Sequence, residues 1–225
     1  MAHPDSTCWT VIQAAAEGSP SDRERFARRY GPVVRAYLVA RWRASPCLNE
    51  LDDTVQEIFL ECFKRGGVLD RADRDRAGGF RPFLYGVVRH VALRLETAKV
   101  RERQPPSDVD LEQIAGPDTA LSRVFDRAWA KALLREVVDR QTERARRAGE
   151  AAVQRVELLR LRFHEGLPIR EIARRWGVAA AALHHEYARA RQEFKAALLE
   201  VVAFHHPETT AEVERACAEF LTLLR

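Results

Sequence analysis

Apolar residues recur at intervals of three and four along most of this chain, the spacing of one buried face on an α-helix. Trp9 and Ile12 lead to Ala16 in a short run over about 7–17 that Gly18 ends. Ser19-Pro20-Ser21-Asp22 then offers an N-cap, a proline in the first turn and an acid at the third helical position. Phe26, Tyr30, Val33, Val34, Tyr37, Leu38 and Trp42 follow on one stripe, with Gly31-Pro32 as the place where that helix is expected to bend. Beyond Ser45-Pro46, Leu51, Val55, Ile58, Phe59, Cys62 and Phe63 predict a helix over about 50–65, stopped by Gly66-Gly67. Val68 to Gly79, rich in Asp and Arg, reads as a loop; a helix over 79–103 then turns Phe80, Phe83, Leu84, Val87, Val88 and Val91 inward.

The pattern breaks at Gln104. Pro105-Pro106, Gly116-Pro117 and four acids, Asp108, Asp110, Glu112 and Asp118, mark 104–120 as a linker. Helical periodicity resumes over about 119–147 and 150–164, then in two further helices split at Gly177, the second running to about 203. Pro207 opens a last helix with Val213, Cys217, Phe220, Leu221 and Leu224 on one face. No alternating stretch rich in Val, Ile and Thr predicts a strand. The expected fold is all-α, with two small helical domains joined by an acidic linker: an N-terminal extension (1–19), a first domain (20–103), the linker (104–120), a second domain (121–203) and a C-terminal extension (204–225).

Composition changes this picture little. The chain has 225 residues, of which 46% are hydrophobic, enough for ordinary packed cores. Its formal charge is +4; removing the four acids of 104–120, which has no Lys or Arg, leaves +8 on the remainder, a balance compatible with nucleic acid. The four cysteines show no C-x-x-C spacing, and no apolar run has the length of a membrane span or a signal peptide. These features read as a reduced, cytoplasmic protein without a membrane partner.

The most specific local pattern is Leu167-Pro168-Ile169-Arg170-Glu171-Ile172-Ala173-Arg174-Arg175-Trp176-Gly177-Val178, followed by Leu183 and Tyr187. A helix-turn-helix needs a small residue where its helices cross, a glycine four later for the positive-φ turn and an apolar residue six further on to seat the second helix. Ala173, Gly177 and Leu183 meet that order. The second helix then turns Leu183, Tyr187, Ala190 and Phe194 inward and presents His184, His185, Ala188, Arg189 and Gln192 as candidate groove contacts. Arg170, Arg174 and Arg175 flank them as candidate phosphate contacts. In the first domain, the outward side of 50–65 carries Asp53, Gln56, Glu57 and Lys64, interrupted by Leu60, a plausible partner contact. On 79–103, Arg81, Tyr85 and Arg89 fall four apart, a basic stripe with an aromatic in it of the kind single-strand binders use. His90, Arg94 and Lys99 extend that candidate nucleic-acid surface.

These segments resemble a known family. Asp52-Asp53-Thr54-Val55-Gln56-Glu57-Ile58-Phe59-Leu60 is similar to the D-x-x-Q-E-x-F segment of bacterial sigma factors of the extracytoplasmic-function type. Gly79-Phe80-Arg81-Pro82-Phe83-Leu84-Tyr85-Gly86-Val87-Val88-Arg89-His90 resembles that family's G-x-F-x-x-W-L-x-x-I-A-R-N segment. Residues 167–191, ending Arg189-Ala190-Arg191, resemble its E-I-A…G-[IV]-[ST]…V…R-A-R pattern. Together these cover roughly 20–200 in the family's order. Thr10 to Ala15 and Phe125-Asp126-Arg127-Ala128-Trp129 are similar to planctomycete-type members.

The resemblance implies a transcription initiation factor that binds core RNA polymerase through Asp53, Gln56, Glu57 and Leu60. It implies that loop 66–79 and helix 79–103 capture and melt the minus-ten element as single strand, including an unstacked base. The 179–195 helix would read the duplex minus-thirty-five element, the acidic linker would thread toward the RNA exit channel, and an anti-sigma factor is a further partner the family allows. Three departures stand out: Ala179 replaces a capping Ser or Thr, His184-His185-Glu186 replaces the commoner Lys, Ser and Arg, and His90 replaces Asn. The changed recognition helix and the extra helix after Pro207 favour, as the alternative, a sigma-like interaction protein that binds polymerase or a regulator with little promoter activity; the intact first-half motifs argue against it.

An enzyme is not expected. His185-Glu186 is followed by Arg189, and His164-Glu165 by Pro168, where a zinc hydrolase would carry its second histidine. No phosphate-binding glycine loop, nucleophile elbow or paired-carboxylate constellation appears, so no catalytic residue, cofactor or metal is assigned. His205-His206, before Pro207, reads as an exposed junction.

Overall fold

The computed structural model describes residues 8–64, 66–72, 79–103, 118–205 and 217. The fold is all-α, and no strand occurs among the described residues. The helices are α1 (Cys8–Ala16), α2 (Pro20–Arg41), α3 (Leu51–Phe63), α4 (Phe80–Arg103), α5 (Asp118–Ala148), α6 (Glu150–Phe163), α7 (Ile169–Trp176) and α8 (Ala180–His205), with 3-10 turns at Pro46–Glu50 and Leu69–Arg71.

Contacts divide the chain into two compact units. Unit one holds the described residues up to Ala132 together with Phe204 and His205; unit two holds Leu133–Ala203 and Cys217. The division falls inside α5, not in the proline-rich segment before it. Residues 104–117 and the expected helix after Pro207 lie outside the described residues, apart from Cys217, which is buried.

Unit one begins as the sequence patterning predicts. Ser19 caps α2: its hydroxyl accepts the Asp22 N–H at 3.4 Å and donates to the Asp22 carboxylate at 2.6 Å, with Pro20 in the first turn. Arg23 then donates to the Ala15 carbonyl at 2.9 Å and the Phe63 carbonyl at 3.0 Å, so one guanidinium satisfies the C-terminal ends of α1 and α3. α2 runs unbroken through Gly31-Pro32. Phe26, Tyr30, Val33, Val34, Tyr37 and Leu38 of α2 are buried, as are Ile58 and Cys62 of α3 and Phe80, Leu84, Val88 and Val91 of α4, with the Phe80 ring 5.8 Å from Phe26 and 5.2 Å from Tyr30. Burial pushes the Cys62 thiol up to about 12, so it is a protonated packing group. α1 is part of this core and not an appendage: Trp9 is buried with its ring edge-on to Phe80 at 5.8 Å.

One polar node locks the far end of α2 to α4. Arg41 Nε and Nη2 each donate to a separate oxygen of Glu96 at 2.7 Å, and Trp42 Nε1 donates to the same carboxylate at 2.6 Å. The Arg41 and Glu96 side chains are only 5% and 14% exposed. Burial opposes charge on Arg41, but the hydrogen bonds to Glu96 and Tyr37 outweigh it and raise the guanidinium pKa above its ordinary value. Removing one partner of a buried pair strands the other's charge, which typically costs about 3–5 kcal/mol. Glu96→Ala is therefore expected to destabilise the chain by about that amount in denaturant unfolding, with a smaller loss for Glu96→Gln, which keeps an acceptor for Trp42.

Candidate nucleic-acid and partner interfaces

In unit two, α7 and α8 form a helix-turn-helix whose turn is dictated residue by residue. Pro168 precedes the first turn of α7 without needing an N–H there, and its carbonyl accepts from Glu171 N–H at 2.9 Å. Ile169, Ile172 and Ala173 face the core, and Ala173 is 3% exposed. Gly177 ends α7 at φ 66°, ψ 29°, in the left-handed region that glycine adopts at no steric cost. Its N–H reaches the Arg174 carbonyl at 3.3 Å and the Val178 N–H reaches the Ala173 carbonyl at 3.1 Å, a Schellman closure. Leu183, 4% exposed, seats α8 on a cluster of Leu158, Leu161, Ile169, Ile172 and Ala173.

The outward face of α8 carries the expected residues: His184, His185, Ala188, Arg189 and Gln192 are all exposed. Arg170, Arg174 and Arg175 are exposed as well. Arg174 and Arg175 both pair with Glu171, whose carboxyl their hydrogen bonds hold below its ordinary value. Such surface pairs are typically worth under about 1 kcal/mol, so Glu171 holds neither guanidinium tightly. Glu186 has a structural partner that the sequence does not announce. It accepts from Arg155 of α6 at 3.1 Å, and Arg155 also meets Glu193 at 2.8 Å.

In unit one, the outer face of α3 presents Asp53, Gln56 and Leu60; the leucine is 62% exposed. Glu57 lies beside them, half-buried and paired with Arg94 of α4. Asp52 pairs with Arg35. Lys99 is tied to Glu50.

The α4 stripe requires a correction. Arg81, Tyr85 and Arg89 do not form an open basic face, because the beginning of α5 packs along it. Arg81 pairs with Asp126, and the Tyr85 ring meets Phe125 edge-on at 5.2 Å and Tyr37 at 5.6 Å. Arg89 is half-buried. Assigning residues after 120 to a separate domain left that face of α4 looking uncovered. His90 is exposed, and with Arg94 it borders a groove of about 490 Å³ lined also by Glu61, Val68, Pro82, Phe83, Gly86, Val87 and Val91.

His205 also departs from expectation. It is 2% exposed, with its ring 5.8 Å from Trp129 and 6.4 Å from Tyr30 and its carbonyl accepting from Cys8 Sγ at 3.7 Å. The histidine pair looks like a junction because Pro207 follows it; the aromatic surfaces that receive His205 come from α2 and α5, remote in sequence.

Among the described residues no group of three or more His, Cys, Asp or Glu is placed to hold a metal ion, and no helix is long and apolar enough to cross a membrane. No family model and no curated protein matches the chain.

The covering of α4 has a measurable consequence. Phe125 is fully buried, whereas the Arg81–Asp126 pair is partly exposed. Phe125→Ala is expected to cost about 3–5 kcal/mol in thermal or denaturant unfolding, and Asp126→Ala about 1 kcal/mol or less. Equal, small losses for both would mean that the start of α5 does not belong to this core.

Proposed function

We propose that this chain is a transcription initiation factor of the sigma kind: it binds core RNA polymerase and directs it to promoters, and it carries out no catalysis itself. The observation that carries the reading is the α7–α8 turn. A buried alanine at the crossing, a left-handed glycine four residues later and a buried leucine six beyond it hold a helix whose outward row is His184, His185, Arg189 and Gln192. A generic helical hairpin requires neither that register nor a polar, basic row on the free side. The three sequence segments similar to sigma factors, in that family's order, support the same reading.

On this proposal α8 enters the major groove of the minus-thirty-five element while Arg170, Arg174 and Arg175 take phosphates. Core polymerase docks on Asp53, Gln56, Glu57 and Leu60 of α3. The melted minus-ten strand is assigned to the groove bordered by His90 and Arg94, because Tyr85 is packed against α5; Arg94 would exchange its more exposed surface pairs with Glu57 and Glu61 for phosphate. The cytoplasm, where polymerase and promoter are found, is the compartment this implies, and an anti-sigma factor would compete for the same faces.

Docking on α3 is tested with purified core polymerase. Leu60 is exposed, so its replacement leaves the core intact. Leu60→Asp is expected to weaken polymerase binding by about tenfold or more, equivalent to about 1.4 kcal/mol, and Gln56→Ala less, both with unchanged helical circular dichroism. Equal binding by wild type and both variants would remove α3 as the docking face.

A further inference from the structure

The first half of α8 is poorly anchored by apolar contact. Residues 179–182 are all alanine, and Leu183 with the half-buried Tyr187 supplies most of the inward surface before Ala190. Alanine buries little area, so the seating of this half of the helix depends on few side chains. Arg155, on α6, fills that gap. Its side chain is 11% exposed, and its guanidinium faces two acids seven residues apart on one side of α8, a span of about 10 Å along the axis. Nη1 donates to Glu186 at 3.1 Å and Nε to Glu193 at 2.9 Å, with Nη2 2.8 Å from the same Glu193 oxygen.

Glu186 divides its carboxylate. Oε2 faces Arg155, while Oε1 lies 3.5 Å from Arg189, the cation of the outward row. Without Arg155 the carboxylate would be free to draw Arg189 sideways along the helix. The two acids would then lose the cation between them, beside a face that must approach phosphates.

We infer that Arg155 is a positioning residue for α8: it fixes the helix by bridging Glu186 and Glu193, and its charge offsets part of theirs so that Arg189 remains available to DNA. The second half of this inference rests on the DNA-binding reading above; the first does not. Lysine is a poorer replacement for Arg155, because a compact ammonium lacks the planar fork that reaches both carboxylates here. Glu186, which on sequence alone opposes DNA binding, is on this view a tether whose charge is met from behind.

The test uses the full chain with two readouts, affinity for random-sequence duplex DNA and amide hydrogen exchange over 180–190. Arg155→Ala is expected to weaken duplex binding about three- to tenfold at low salt and to speed exchange in α8. Adding Glu186→Ala and Glu193→Ala to that variant is expected to return affinity to at least about half that of wild type while exchange stays fast, since the added negative charge is removed but the bridge is not restored. Glu186→Ala/Glu193→Ala with Arg155 intact breaks the bridge from the other side and must also show fast exchange, which keeps the test decisive if Arg155→Ala fails to fold. Unchanged affinity and exchange in Arg155→Ala would overturn the inference. An affinity loss that removing both acids does not relieve would overturn its electrostatic half and make Arg155 a direct phosphate contact. A wild-type chain with no affinity for duplex would defeat the DNA reading alone, and exchange would still decide whether Arg155 holds the helix.

Discussion

Trp129 lies where the aromatic rings of unit one converge. Its ring stacks on Tyr30 at 5.2 Å, lies 6.3 Å from Phe125 and 6.5 Å from Phe80, and takes the His205 imidazole edge-on at 5.8 Å. Side chains of this size bury roughly 150–250 Å² each, and geometrically favourable aromatic pairs add to that burial. The start of α5 is therefore as much a part of the first core as α2 or α4. The Arg81–Tyr85 face of α4 is occupied as a result, whereas the α3 row around Leu60 and the groove bordered by His90 and Arg94 are open among the described residues.

Unit two is organised differently. Its helix-turn-helix core is a small aliphatic group around Leu158, Leu161, Ile172 and Leu183, while Val137 of α5 and Ala197, Leu198, Val201 and Val202 of α8 are buried elsewhere in the unit, and ion pairs add further links between helices. Arg144 pairs with Glu200, holding that carboxyl below its ordinary value, and Arg155 pairs with Glu186 and Glu193. A helix held in part by ion pairs responds to salt through its tethers, and on the proposed function its phosphate contacts would weaken with them as screening rises.

The all-α character and the helix limits were legible because each stripe of core residues repeats at helical spacing and each end carries its own chemistry, such as Ser19-Pro20 at the start of α2 or Gly177 after α7. The outward row of α8 was legible for the same reason: Leu183 and Ala190 fix the inward side, and His184, His185, Arg189 and Gln192 follow. What periodicity could not convey is which faces of different helices cover one another. Arg81, Tyr85 and Arg89 are four apart and polar or amphipathic, the signature of an exposed stripe, yet Phe125 and Asp126 lie against the first two. The long separation between 85 and 125, across a proline-rich stretch, hid that pairing. Arg155 was missed on the same ground, since nothing local to α6 marks one arginine as the partner of two acids on α8. His205 was misjudged because its neighbours in sequence are polar while its neighbours in space are Tyr30 and Trp129.

The claim that this chain directs polymerase to promoters is tested most directly by run-off transcription with core RNA polymerase from its own source and DNA lying upstream of its own gene. The expected result is a transcript with a defined 5′ end that requires the chain and is lost with Leu60→Asp. No defined transcript, from a chain that nonetheless binds the polymerase tightly, would contradict promoter direction and leave a polymerase-binding interaction protein in its place.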